Sequence, residues 1–150
     1  MPAMKMASFE FNKILVPVSG SKADDEGIRL ACRLAKKTKG SVRALYVITV
    51  RRTLPLDADL ETEIRQGEDI LDHAESIAEA QEYEIETDLV QSREAGPTIV
   101  DEAIERDVDL ILVSVGYKRS FGQFSLGSTV PYVLRNAACR VILYQVPTEP

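Results

Sequence analysis

Leu110-Ile111-Leu112-Val113 is the stretch on which the fold turns: four consecutive apolar residues between Asp109 and Ser114. A strand with one face in water alternates apolar and polar residues, whereas a strand covered by helices on both faces does not need to. Ile14-Leu15-Val16 repeats the pattern near the start of the chain. Both therefore read as central strands of a sheet buried on both sides. Working outward, the apolar, β-branched runs predict strands at Lys13 to Val18, Ser41 to Ile48, Ile85 to Gln91, Val108 to Ser114 and Arg140 to Val146.

Four helical patterns separate these runs. The first opens on Ser21-Lys22-Ala23-Asp24, the hydroxyl-to-carboxylate spacing of a capping box, and carries Ile28, Ala31, Cys32 and Ala35 on one stripe before Gly40. The second places Leu60, Ile64, Gly67, Leu71, Ala74, Ile77 and Ala78 at three- and four-residue steps. His73, the sole histidine, sits beside that stripe between Asp72 and Ala74 and reads as a solvated rim residue. The third opens at Gly96-Pro97 and uses Ile99, Val100, Ala103 and Ile104; the fourth runs from Ser128 to about Asn136. The long connection from Val50 to Ala58 reads as a flap. Strict alternation of strand and helix implies an α/β fold: a three-layer, doubly wound, five-stranded parallel sheet with right-handed crossovers and helices on both faces. The expected domain spans residues 11–147, with tails at 1–10 and 148–150.

Composition narrows the function. A chain of 150 residues with 45% hydrophobic content is one domain that needs no staples. Its 24 acidic and 18 basic residues leave a net charge of −6, which argues against nucleic acid or anionic membrane as a partner. No apolar run approaches the ~20 residues of a membrane span. Cys32 and Cys139 are far apart without metal-type neighbours and read as buried thiols of a reducing compartment, so a cytoplasmic location is expected.

In a doubly wound sheet, ligands bind beyond the carboxyl ends of the strands where strand order reverses. With the first and fourth strands as neighbours, that crevice would be lined by Pro17 to Ser21 and by Ser114 to Thr129. Pro17 removes a backbone N–H at a strand end, which suits a wall against a planar base. Gly127-Ser128-Thr129, at a helix start, offers backbone N–H groups and a positive dipole end to an anion. Between them lies a long loop, Val115 to Leu126, with Lys118 and Arg119 suited to a phosphate tail and the aromatics Tyr117, Phe121 and Phe124. Neither GxxxxGK[ST] nor GxGxxG is present, and no acid–base pair, metal cluster or nucleophile–histidine pair can be assembled, so no catalytic or metal residue is assigned. Val18-Ser19-Gly20-Ser21 faintly resembles the Ser-Gly-Gly-x-Asp-Ser loop of adenylating ATP pyrophosphatases, but lacks the second glycine, and Asp25 follows Asp24 in place of the serine.

Lys13-Ile14-Leu15-Val16-Pro17-Val18 with Gly20-Ser21, then Val108 to Val113, Leu126-Gly127-Ser128-Thr129, Val133-Leu134-Arg135-Asn136-Ala137 and Cys139-Arg140-Val141-Ile142 together resemble a universal stress protein domain from Asn12 to Gln145. The resemblance implies strand order 3-2-1-4-5 and a homodimer through the last strand, at Val141, Ile142 and Leu143. It also implies, in one branch of the family, binding of ATP or AMP, with magnesium accompanying the nucleotide. Carried onto this chain, the binding positions are Pro17, Val18, Ser19, Val47, Ser114, Gly116, Tyr117, Gly127, Ser128 and Thr129. Three depart from that branch: Ser19 stands for an aspartate, and Ser114 and Tyr117 stand for glycines. The Ser19 and Tyr117 departures are worth ~1 to 2 kcal/mol each, the first by loss of a charge-assisted bond and the second by side-chain strain at φ > 0. Two readings therefore stand: a regulatory module that binds an adenine nucleotide, and an interaction module, attached to a transporter or another unknown protein partner, in which the loop aromatics form the contact surface.

Overall fold

A computed structural model of the protein describes residues 10–117 and 127–147. The elements alternate without exception: β1 Lys13–Pro17, α1 Ala23–Lys36, β2 Ser41–Thr49, α2 Glu61–Ala80, β3 Glu86–Ser92, α3 Ala95–Glu105, β4 Leu110–Tyr117, α4 Thr129–Asn136 and β5 Arg140–Pro147. All strand pairs are parallel, in the order β3-β2-β1-β4-β5, so the expected α/β architecture and strand order are what the chain adopts.

The two continuously apolar runs are the central strands, and they feed two separate cores. Ile14 and Val16 of β1, with Leu110 and Leu112 of β4, pack under α1 and α2 against Ile28, Ala31, Cys32, Leu71 and Ala78. Leu15, Ile111 and Val113 point the other way, against Ile99, Val100 and Ala103 of α3 and Val130 and Val133 of α4. This two-faced burial is the reason the runs do not alternate. Burial also lifts the Cys32 thiol to about 11, which makes it an inert core residue. Cys139 is only partly buried, in contrast to the expectation for both thiols.

Several local expectations are corrected. β4 starts at Leu110 rather than Val108: the Val108 N–H is still spent on the end of α3, donating to the Ala103 carbonyl at 2.9 Å, and the Asp109 carboxylate accepts the N–H groups of Asn12 and Lys13, at 2.8 and 3.0 Å. It also runs on to Tyr117. Val115, Gly116 and Tyr117 belong to the strand, in register with Gln145, Val146 and Pro147 of β5, and not to the loop. Ser21 is not the N-cap of α1: that position is Lys22, and no side chain caps the helix. Asp24 supplies the carboxylate half of the motif, reaching back to the loop. Ile104 projects from α3 and is 55% exposed, because Ile99, Val100 and Ala103 already cover the sheet. Helix α3 begins one residue earlier than read, at Ala95. The Val50 to Ala58 connection is tethered rather than free: the Gln91 amide donates to the carbonyls of Leu56 and Ala58, and Arg93 to those of Val50 and Arg51.

Candidate functional site

The site follows from unequal strand lengths. β1 stops at Pro17, level with Leu45 of β2, whereas β2 continues through Tyr46, Val47 and Ile48 to Thr49 in register with β3. On the other side Leu15 is level with Ile111, so Pro17 stands level with Val113, and β4 continues to Tyr117. The proline explains the stop. Alternate residues of a parallel strand address opposite neighbours, and the Val18 N–H donates to the Leu45 carbonyl on the β2 side at 2.9 Å. Residue 17 therefore addresses β4, where proline has no N–H to offer. The central strand ends short of both neighbours, and a cleft opens between them.

That cleft is a crevice of about 290 Å³ at the carboxyl end of the sheet. Pro17, Val18 and Ser19 form its floor, Leu45 to Val47 and Val113 to Val115 its walls, and Ala95, Ile99, Thr129 and Val130 close the α3/α4 side. Of the sequence-predicted residues, Pro17, Val18, Ser19, Val47, Ser114 and Thr129 meet here. Gly116, Gly127 and Ser128 are not part of the lining; Gly127 and Ser128 are exposed at the start of α4, and Gly127 has φ +68°. Tyr117 ends β4 in extended backbone, a conformation that needs no glycine. Lys118, Arg119, Phe121 and Phe124 lie outside the described residues. The sequence does not announce the α3 wall: Ile99 reads only as helix core, and Ala95 lies ahead of the helix start read at Gly96.

Ser114 is accommodated by a partner that the sequence does not announce. Its Oγ is buried without a hydrogen-bond partner among the described residues. It is packed so closely on Gly27 of α1 that a Cβ added there would lie 1.8 Å from it. The hydroxyl is turned to the α1 side of β4, so the serine reaches the crevice without projecting that group into it.

On the far side of the β1–α1 loop, Asp24 is 6% exposed. Its Oδ2 accepts the N–H groups of Ser19 at 3.0 Å and Gly20 at 2.7 Å. Burial raises the Asp24 pKa; the Gly20, Ser19 and Ser21 N–H groups oppose the rise and the Asp25 charge adds to it. A second cavity of about 380 Å³ lies beyond, with His73 of α2 3.0 Å from Asp25. His73 is exposed on the rim, as its setting in the sequence indicates. Among the described residues no group of three or more His, Cys, Asp or Glu side chains is arranged to hold a metal. None of their helices is long and apolar enough to cross a membrane.

The same architecture recurs in known proteins. The chain is 28% identical over 145 residues to the universal stress protein MJ0531 of Methanocaldococcus jannaschii, covering 93% of this chain and 85% of that one. The structure of a universal stress protein from Archaeoglobus fulgidus superposes with a TM-score of 0.73 at 27% identity, over 88% of this chain and 97% of the other. A universal stress protein from Archaeoglobus fulgidus in complex with dAMP gives 0.69 at 23%, over 88% and 96%. The profile of the universal stress protein family matches residues 10–145. With the strand order, the proline-terminated central strand and the crevice already in place, this match over nearly the whole chain shows that the protein belongs to the universal stress protein family.

Proposed function

We propose that this chain is a cytoplasmic stress-response module that works by binding an adenine nucleotide, ATP or AMP, rather than by catalysis. The observation that carries the reading is the crevice made by the early end of β1. At about 290 Å³ it is at the small end of ligand sites, the right size for one planar base with the sugar and phosphates outside. Pro17, Val18 and Val47 supply apolar walls and backbone edges for the base. Ser19 and Thr129 bring hydroxyls to the rim, and the start of α4 at Gly127-Ser128-Thr129 presents its positive end to phosphate. The dAMP held by the relative with the same fold supports this choice of base. Any magnesium would arrive on the phosphates.

Mass spectrometry of the purified, denatured protein and calorimetry with AMP and ATP at millimolar concentration test the reading. A copurifying or titratable adenine nucleotide is expected; blanks in both would leave the interaction module as the better account. Gly127→Val should weaken AMP by about tenfold. Its Cβ would meet nothing within 4 Å among the described residues, so the effect arises from the φ of +68°, which costs a side chain ~1 to 2 kcal/mol, and from shielding of the N–H groups behind it.

The module is also proposed to pair with a second copy through β5. This strand is at the sheet edge, bonded only to β4 among the described residues, with Val141 and Ile142 half-buried and Leu143 37% exposed. An apolar edge strand of this kind invites pairing. Light scattering should show a dimer, and Leu143→Arg should shift it to monomer by at least tenfold in dissociation constant. A monomeric wild type would overturn the assignment.

A further inference from the structure

Asp24 is the one charged side chain among the buried residues described, and it does not face the crevice. It reaches from the first turn of α1 to the backbone of Ser19 and Gly20, the segment whose Ser19 end forms part of the crevice floor. Both N–H groups converge on a single oxygen, Oδ2, so one carboxylate fixes two consecutive peptide units. The opposite side of the segment is the 380 Å³ cavity, which Asp24 lines together with Ser19 and Gly20. Water, and therefore a proton, can reach the carboxylate from that side.

We infer that Asp24 is a positioning residue for the crevice: its carboxylate holds the Ser19–Gly20 segment in place, and taking up a proton loosens the segment and lowers the crevice's affinity for an adenine nucleoside. The second half rests on the nucleotide reading; the first stands without it. Hydrogen bonds to an ionised carboxylate are roughly twice as strong as those to a neutral acceptor, so protonation weakens both contacts at once. The other charged and titratable groups around the same cavity are Lys22 and Asp25 at the start of α1, and Asp69 and His73 on α2. From β4 the neighbour of α1 at this level is the uncharged Ser114.

The sign of the effect separates loosening from unfolding. Burial holds the folded-state pKa of Asp24 above its ordinary 3.8. Between 3.8 and that raised value the folded chain binds more protons than the unfolded chain, so through this group the fold gains stability as pH falls. Over the same window the two loop bonds weaken. Affinity is thus lost by a protein that stays folded.

The test uses the full chain. Amide spectra recorded from about pH 7.5 down to about pH 4 should show the Ser19 and Gly20 resonances moving with the Asp24 carboxyl signal. They should be flat in Asp24→Asn and unchanged in behaviour in His73→Gln, which removes the nearby imidazole. Adenosine, which has no phosphate to titrate, should lose about three- to tenfold in affinity over that range in the wild type relative to Asp24→Asn. Amides that do not move, or that move equally in Asp24→Asn, overturn the positioning role; so does adenosine binding with the same pH profile in both proteins. If the amides track Asp24 but adenosine does not bind, the latch stands and the nucleotide reading falls.

Discussion

Val47→Trp is expected to raise the Kd for AMP by about a hundredfold or more, to the limit of detection, with little change in thermal stability. Val47 is in the part of β2 that runs past the end of β1, where its side chain has β3 for a neighbour on one side and the open crevice on the other. An indole there would occupy the place of the base in a crevice of only about 290 Å³. Losing a base packed between apolar walls removes a few kcal/mol, and a hundredfold corresponds to ~2.7 kcal/mol. The fold should survive because Val47 is half-buried, outside the fully buried set that includes Leu45 and Ile111. Val47→Ala is the control, with a loss of about threefold or less, since it removes one wall contact and leaves the space open. Calorimetry and a melting curve on the three proteins decide the matter. Unaltered AMP binding in Val47→Trp would place the nucleotide elsewhere.

Gly27→Ala should destabilise the protein by about 2 kcal/mol, and Ser114→Gly in the same chain should restore most of it. An alanine Cβ at position 27 would lie 1.8 Å from Ser114 Oγ and 3.1 Å from Ser114 Cβ. Rotating the serine relieves the first contact but not the second. Overpacking of this kind costs ~1 to 3 kcal/mol, against ~1 kcal/mol gained by replacing a helical glycine, so the clash wins when the core cannot shift. Leu112 and Ile28, both fully buried beside this contact, leave little room for a shift. In the double variant the clash and an unpartnered buried hydroxyl disappear together, which offsets the propensity cost of a strand glycine. Urea unfolding of the two single variants and the pair forms a double-mutant cycle; additive values would show that the two residues are not in contact. For a chain of this size 2 kcal/mol is ~4 to 8 °C in Tm.

This pair also shows where a reading of sequence motifs loses information. Ser114 and Tyr117 stand where the nucleotide-binding branch carries glycines, and on sequence alone each is a strain or a bulk problem for the crevice. In the fold, Tyr117 is the end of a strand held by Pro147, and Ser114 turns its hydroxyl into the gap left by Gly27. Neither compensation is local. Position 27 is eighty-seven residues from 114 along the chain, and only the docking of α1 on β4 brings them together. Asp24 is local in its contacts, since Ser19 and Gly20 are five and four residues away, but not in its surroundings. The spacing from Ser21 marks a helix start, whereas the α2 side chains packed over the loop, Ile70 among them, are not marked by any local pattern.

The sequence by itself determined the class of fold and the place of the crevice. Leu110 to Val113 and Ile14 to Val16 are apolar at every position because helices cover both faces, and a sheet built from such strands binds at its carboxyl edge. Pro17 marks that edge in the sequence, since a missing N–H is a property of the residue alone. The tertiary structure decided the rest: how far β2 and β4 overrun β1, and therefore how large the crevice is; which residues of α3 close it; and what Ser114 touches. Those are properties of register and helix docking, set by side-chain contacts between residues distant in the chain, and no local pattern encodes them.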